Sequence, residues 1–250
     1  MKIIALMNQK GGVGKTTCAI NIGAGLTILG KKVCLIDLDP QAHLTCSLGI
    51  ASHSLDNTVY EMLTGKASLA SALFVRDNLR ILPAKIELAG AEIELSGVAG
   101  REFLLREALE TLAGFDFVFI DCPPSLGLLT LNALTTAKEI YIPLQTEFLA
   151  LQGLGKLLQT VEIVQKRLNK ELAITGIIAT RFDKRKNLSK EVIGKINEYF
   201  DHAKIFKTPI RDNVALAEAH GFGQTIFEYK PDSNGAKDYL KLCKEILRRS

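Results

Sequence analysis

Short apolar runs alternate with amphipathic stretches along the whole chain, and the runs show little alternation of apolar and polar residues. Runs of this kind, rich in Val, Ile and Phe, are typical of strands that are covered on both faces. Alternation of strands with helices favours β-α-β units and a parallel sheet. The pattern predicts strands at Ile3–Asn8, Val33–Asp37, Leu79–Leu82, Phe117–Asp121, Ile140–Pro143, Ile174–Ala179 and Lys204–Lys207.

The stretches between these strands carry apolar residues at helical spacing. They predict helices at Thr16–Leu29, Val59–Leu63, Glu87–Leu95, Glu102–Leu112, Leu128–Thr136, Gly153–Leu168, Leu188–Phe200, Val214–Ala219 and Ala236–Arg249. No repeat or linker-like tract interrupts the pattern. We therefore expect a single α/β domain over residues 1–250, with a doubly wound, mostly parallel sheet and helices on both faces. Ligands bind at the carboxyl ends of the strands in such folds.

The first predicted strand leads into a glycine-rich loop, Lys-Gly-Gly-Val-Gly-Lys-Thr-Thr at residues 10–17. Glycines let backbone N–H groups converge on an anion, and the following helix points its positive end at the same place. In a phosphate-binding loop, Lys15 reaches the β- and γ-phosphates and Thr16 contacts Mg²⁺. The standard pattern has a glycine where this chain has Gln9, and this chain adds a second lysine, Lys10.

Two further strands end in carboxylates. The second strand delivers Asp37 and Asp39, which point the same way because residues two apart in a strand share a face. The strand Phe117–Asp121 ends in Asp121 and has the form of a Walker B strand, whose carboxylate holds Mg²⁺ through a water. Because magnesium keeps most of its waters, one aspartate and Thr16 form a sufficient set of protein groups.

Three motifs together resemble the MinD/ParA superfamily, and in particular ParA/Soj partition ATPases: the loop at 10–17, Asp-Leu-Asp-Pro-Gln at 37–41 and Asp-Cys-Pro-Pro-Ser at 121–125. The loop has the "deviant" Walker A form of that superfamily. The likeness continues through segments such as 129–134 and 213–219.

The resemblance implies a slow ATPase that uses ATP and Mg²⁺. Its catalytic residues would be Lys10, Lys15 and Asp39, with Asp39 orienting the attacking water. The metal would be held by Thr16, Asp37 and Asp121, with Asp37 also supporting the loop lysine. The residues expected to contact the nucleotide are Lys10, Gly11, Gly12, Val13, Gly14, Lys15, Thr16 and Thr17, with Pro209 and Ile210 beside the adenine.

The resemblance also implies a homodimer that closes over two ATP molecules, with Lys10 of each subunit reaching the phosphates bound by the other. A γ-phosphate buried between subunits needs a compensating cation, and a cation supplied in trans makes dimerisation depend on ATP. The ATP dimer would bind DNA without sequence preference, and a ParB-like partner would stimulate hydrolysis.

Residues 181–211 contain nine Lys or Arg and four Asp or Glu, although the whole chain has a net charge of only +4. We expect a DNA-binding face here. Arg185 occupies the position of a DNA-contacting arginine in Soj-like proteins, whereas a second arginine of those proteins is replaced by Ala215. The expected contacts are Lys184, Arg185, Lys186, Lys190 and Arg211.

Three alternatives stay open. A MinD-like membrane-surface ATPase ends in a separate basic amphipathic helix, but the last predicted helix here has core-type spacing. An iron–sulfur reductase of the same superfamily would use Cys122, but no second cysteine stands in a comparable loop. A ParA-like protein that positions a cargo other than DNA would have the same motifs.

The five cysteines have no C-x-x-C spacing and predict buried reduced thiols. Because no apolar run approaches the length of a membrane span and no signal peptide is evident, we expect a cytoplasmic protein, associated with the nucleoid when ATP is bound.

Overall fold

The computed structural model describes residues 1–147, 154–187, 191–192, 194–195 and 204–249. Within these ranges one seven-stranded sheet forms from β1 (Lys2–Leu6), β2 (Val33–Asp37), β3 (Phe74–Arg76), β4 (Leu79–Leu82), β5 (Phe117–Asp121), β6 (Glu139–Gln145) and β7 (Ala173–Thr180). The strand order is β3-β4-β2-β5-β1-β6-β7. All neighbours pair in parallel except β3, which pairs antiparallel with β4 at the edge.

The α-helices of the described ranges lie between and after these strands. They are α1 (Lys15–Ile28), α2 (His43–Ser47), α3 (Val59–Leu63), α4 (Leu69–Ala72), α5 (Leu88–Glu94), α6 (Leu104–Leu109), α7 (Leu128–Thr136), α8 (Leu154–Arg167), α9 (Val214–Gly221), α10 (Ile226–Tyr229) and α11 (Asn234–Arg249). Short 3₁₀ turns lie at Ser52–Ser54, Leu95–Gly97 and Arg101–Phe103.

Two hydrophobic cores lie on opposite faces of the sheet. Strand residues alternate between them: Ile4 and Leu6 pack into the core under α1 and α11, whereas Ala5 packs into the core under α3 to α8. Both faces of the central strands are therefore dry, and every residue of β2 and β5 is buried. This burial explains the absence of polar alternation and confirms the predicted doubly wound α/β fold.

Some predicted elements were wrong or missed. Lys204–Lys207 is not a strand, because only Ile205 makes an isolated bridge, to Ile177. The edge strand β3 was missed, and so were the helices α2, α4 and α10, which have four or five residues each. The helix predicted at 102–112 starts as a 3₁₀ turn and ends at Leu109. Most of the helix predicted at 188–200 lies outside the described residues.

The last helix, α11, packs on α1 as part of the core. Its buried residues include Tyr239, Leu242 and Ile246. The two helices approach closely at Gly25, where an added Cβ would lie 2.6 Å from Cys243 Sγ. The apolar face of α11 is thus occupied by the protein's own core. Among the described residues, no helix combines the length and apolar character that crossing a membrane requires.

We expect Leu242→Ala to lower the free energy of unfolding by about 2–5 kcal/mol, because Leu242 is fully buried and truncation leaves a cavity. Lys241→Ala, at the neighbouring exposed position of α11, is the matched control and should change stability little. Urea denaturation measures both. Equal stability of the two variants would mean that the apolar face of α11 is not part of the core in solution.

Candidate functional site

The loop at residues 10–17 has a backbone that only glycine adopts easily. Gly12 and Gly14 have φ values of 73° and 93°, and Gly14 is the N-cap residue of α1. A Cβ at Gly12 would have no heavy atom of the described residues within 4 Å, apart from its own chain neighbours. The requirement for glycine at position 12 therefore comes from the backbone conformation and not from packing within the subunit.

Two strand-end side chains hold this loop. Gln145 Nε2 at the end of β6 donates to Gly12 O at 2.6 Å, and Thr180 Oγ1 at the end of β7 donates to Val13 O at 2.8 Å. Because C=O and N–H point in opposite directions in a trans peptide, the amides that follow point away from these strands. Sequence reasoning assigned neither residue to the site, although their place at carboxyl ends of strands is a usable signal.

Thr16 and Asp121 meet at the mouth of the loop. Thr16 Oγ1 donates a 2.6 Å hydrogen bond to Asp121 Oδ2, and the other carboxylate oxygen, Oδ1, is buried with no hydrogen-bond partner among the described residues. An orphaned buried carboxylate oxygen beside a threonine hydroxyl suits a hydrated divalent cation, since magnesium prefers oxygen ligands. These residues therefore fit the predicted metal site.

Asp37 lies beside Asp121, because the two residues are partners in the β2–β5 register. Its Oδ2 accepts from Thr45 N at 2.9 Å and Thr45 Oγ1 at 2.7 Å, and its Oδ1 accepts from Asp39 N at 3.2 Å. Burial raises the pKa of Asp37 to about 6. Burial, and then the neighbouring Asp37, raise the pKa of Asp121 to about 8. Because both pKa values are raised, the pair carries less negative charge at neutral pH than two exposed carboxylates would.

Lys10 and Lys15 have different surroundings although both lie on the loop. Lys15 is buried, 8% exposed. The Lys10 side chain is 36% exposed, and its Nζ lies 3.3 Å from Glu147 Oε2. Asp39 accepts from Gln41 N at 3.0 Å. Asp39 and the glycine loop line the same cavity, which has a volume of about 520 Å³. The other residues that line it include Lys15, Thr16, Thr17, Gln41, His43, Ser47, Pro124 and His220.

A second cavity, of about 470 Å³, opens on the other side of the loop. Of the two residues predicted beside the adenine, Ile210 lines this cavity and Pro209 does not. Its lining combines apolar walls with a few polar groups, as ligand cavities do. Arg211, predicted from the sequence as a DNA contact, also lines this cavity. The lining residues that sequence reasoning assigned to no site are Thr180, Arg181, Asp212, Asn213, Val214, Leu216, Ala217 and Tyr239.

The predicted basic face is only partly described, since Lys190 lies outside the described residues. Arg185 is 84% exposed and makes a bidentate ion pair with Asp183, which lowers the pKa of that carboxyl to about 2. Arg211 pairs with the nearly buried Asp238 at 2.6 Å. Phe182 and Arg211 are bridge partners. Arg211 therefore lies near the start of the basic loop, the segment that carries Lys184, Arg185 and Lys186.

Four of the five cysteines are buried free thiols, as predicted, but Cys46 is exposed. Burial raises the pKa of the Cys122 thiol well above its ordinary value. Among the described residues, no group of three or more His, Cys, Asp or Glu side chains is placed to hold a metal ion.

The glycine loop, its two lysines and the two strand-end aspartates define a P-loop nucleotide-binding protein of the deviant Walker A type. Residues 1–174 match the family model described as an AAA domain. The chain is 48% identical over 248 residues to the sporulation initiation inhibitor protein Soj of Bacillus subtilis, covering 98% of each chain. It is 47% identical to the chromosome-partitioning ATPase Soj of Treponema pallidum, covering 99% of this chain and 98% of the relative. The chain belongs to the ParA/Soj family of chromosome-partitioning ATPases.

A solved structure with the same fold has a bound nucleotide. The cobyrinic acid a,c-diamide synthase of Mycobacterium smegmatis, with an ATP analogue and magnesium, superposes with a TM-score of 0.88 at 40% identity. The match covers 100% of this chain and 95% of the other.

The buried aspartate pair predicts an unusual pH dependence for the protein without metal and nucleotide. The pKa values of Asp121 and Asp37 in the folded state, about 8 and about 6, lie above the ordinary value of 3.8. Their contribution to stability is therefore complete below pH 4 and is lost as the pH rises towards 8, by at most about 1.4 kcal/mol per pH unit for each group.

Urea denaturation in EDTA at several pH values measures this effect. Asp121→Asn should flatten the decline in stability between pH 5 and 8, whereas Asp232→Asn, at an exposed position, should leave it unchanged. A wild-type decline that persists undiminished in Asp121→Asn would show that this carboxyl is not the source.

Proposed function

We propose that this protein is an ATPase that binds ATP and Mg²⁺ at the loop and closes as a sandwich dimer to drive DNA segregation. The observation that carries the proposal is the 2.6 Å contact of Thr16 with Asp121, whose other carboxylate oxygen has no hydrogen-bond partner in the described part of the chain. This arrangement at the mouth of a glycine loop suits a hydrated cation bridging to phosphate oxygens. The nucleotide and magnesium in the Mycobacterium smegmatis structure support it.

Each residue has a defined role in this proposal. Lys15 and the loop amides bind the phosphates, and Thr16 and Asp121 hold the cation, which neutralises charge on the phosphate oxygens. Asp37, whose oxygens are already engaged by Thr45 and Asp39, supports that site from behind. Asp39 orients the attacking water. Positioning and electrostatics then supply most of the rate, so basal turnover should be well below the median enzyme value of about 10 s⁻¹.

Dimerisation gives Lys10 its role. Its side chain is half-exposed and paired with the exposed Glu147, so it is not committed to the phosphates of its own subunit. A second subunit that brings ATP to this face offers Lys10 a stronger anionic partner. The ion pair with Glu147 is a weak competitor, because exposed pairs contribute little.

We further propose that segregation depends on DNA binding and on a ParB-like activator of hydrolysis. The Treponema pallidum relative is a chromosome-partitioning ATPase, which supports a partition role. The exposed Arg185 supports contact with DNA phosphates. A homodimer that carries two such loops on one surface would bind DNA bivalently. We propose a cytoplasmic protein that is associated with the nucleoid when ATP is bound.

The two loop lysines should separate binding from hydrolysis. Lys15→Ala removes a charge-assisted phosphate contact worth roughly 1.5–3 kcal/mol, so ATP affinity should fall about 10- to 100-fold. Lys10→Ala should bind ATP nearly as well as the wild type but lose hydrolysis. Titration with a fluorescent ATP analogue and a phosphate-release assay measure the two effects. Unchanged affinity in Lys15→Ala would remove the loop from the nucleotide site.

DNA binding should require ATP and weaken steeply with salt. Each phosphate contact contributes about 0.9 to the slope of log affinity against log salt, so removing one per subunit flattens a dimer's slope by about 1.8. The measurement is a titration of the Asp39→Ala variant, in the presence of ATP, with a DNA duplex of arbitrary sequence at several salt concentrations. The same titration is made with a variant that also carries Arg185→Ala.

The matched control is Lys138→Ala, an exposed lysine paired with Glu171 at the opposite end of the sheet, which should leave the slope unchanged. Equal slopes with and without Arg185 would place the DNA site elsewhere, and the exposed lysines of α11 would be the next surface to test.

A further inference from the structure

One helix connects the two cavities beside the loop. Asn213, Val214 and Ala217, at and just after the start of α9, line the cavity that contains Ile210. His220, one residue before its end, lines the cavity that contains Asp39. A shift of α9 on nucleotide binding would therefore move lining residues of both cavities.

The end of α9 is fastened to α2. His220 Nδ1 lies 2.8 Å from the Oγ of Ser47, which is buried. Just beyond this bond, the turns after the two helices touch through glycines: a Cβ at Gly223 would lie 2.8 Å from Gly49 Cα. The two turns are in contact backbone to backbone, so α2 and the end of α9 have little freedom to move separately.

The other end of α2 leads to the residue that orients water. Ala42 N donates to Asp39 O at 2.8 Å, and Cys46 N continues the helix by donating to Ala42 O at 2.9 Å. Thr45, on the same helix, makes two hydrogen bonds to Asp37. A change in the placement of α2 therefore changes the placement of Asp39.

The His220 ring is not explained by packing alone. Its Nε2 is buried and has no hydrogen-bond partner among the described residues, which costs free energy that an apolar side chain would avoid. Burial, and then His43, lower the pKa of His220, so the ring is neutral near pH 7. The charged and titratable groups that line the same cavity are Lys15 on α1, Asp39, and His43 on α2.

We propose that His220 is a positioning residue for hydrolysis, which through Ser47 fixes α2 and the adjoining Asp39 to α9, the helix that also lines the cavity beside Ile210. This role rests on the function proposed above. It requires only the Nδ1 contact, because Nε2 is inaccessible to the nucleotide. Loss of the contact should affect the orientation of water more than the binding of ATP.

The experiment compares ATP hydrolysis by His220→Ala, Ser47→Ala, the double variant and His220→Asn. Both single alanine variants should lower kcat about tenfold, about 1.4 kcal/mol of activation free energy, with KM for ATP changed less than twofold. The double variant should be no slower than either single variant, since both remove one contact. Asn places an amide where Nδ1 lies, so His220→Asn should keep at least half of the wild-type kcat.

A pH profile adds a second readout. Protonation of His220 makes Nδ1 a donor only and places a positive charge beside His43, so the wild-type kcat should fall more steeply at acid pH than that of His220→Asn, which keeps the other titratable groups of the cavity. Phe222→Ala is the matched control, because Phe222 is 68% exposed on the same turn and makes its ring contact with Tyr229. It should leave kcat and the pH profile unchanged.

Three results would overturn the inference: an unchanged kcat in Ser47→Ala, effects that multiply in the double variant, or His220→Asn as slow as His220→Ala. If His220→Ala does not fold, Ser47→Ala and His220→Asn decide the question alone. Absence of hydrolysis in the wild type would instead refute the function proposed above, so the two failures are distinguishable.

Discussion

Two carboxylates buried side by side at the ends of adjacent parallel strands are the constraint on which the site depends. The β2–β5 register places Asp37 opposite Asp121, and both are fully buried. Burial raises the pKa of both carboxyls, and the charge of Asp37 raises that of Asp121 further. The arrangement is therefore unfavourable at neutral pH without a compensating cation. In the site that we propose, a divalent cation would relieve this penalty, so part of the affinity for metal would come from the fold itself.

The phosphate loop is the counterpart of this constraint. Its carbonyls are tied to the ends of β6 and β7, so it is preorganised before any ligand arrives. A rigid loop loses little entropy on binding an anion. Lys10 differs from Lys15, because its side chain is partly exposed and forms an ion pair with the exposed Glu147. We therefore propose that Lys10 contacts the phosphates bound by the other subunit.

The central fold and the chemical motifs could be predicted from the sequence because they rest on local patterns. β2, β4 and β5 have the predicted limits, since each is a continuous apolar run with a clear end. The edge strand β3 and the helix α2 were missed because neither forms an apolar run of that kind: β3 has three residues, and Leu44 is the one large aliphatic residue of α2. Gln145, Thr180 and His220 were missed for another reason: their roles come from long-range contacts that no local pattern encodes.

The central claim is that ATP, and not ADP, brings two subunits together. Static light scattering of Asp39→Ala with Mg²⁺ tests it most directly, since this variant should retain bound ATP. The account predicts the monomer mass without nucleotide and with ADP, and twice that mass with ATP. The same mass in all three states would contradict it.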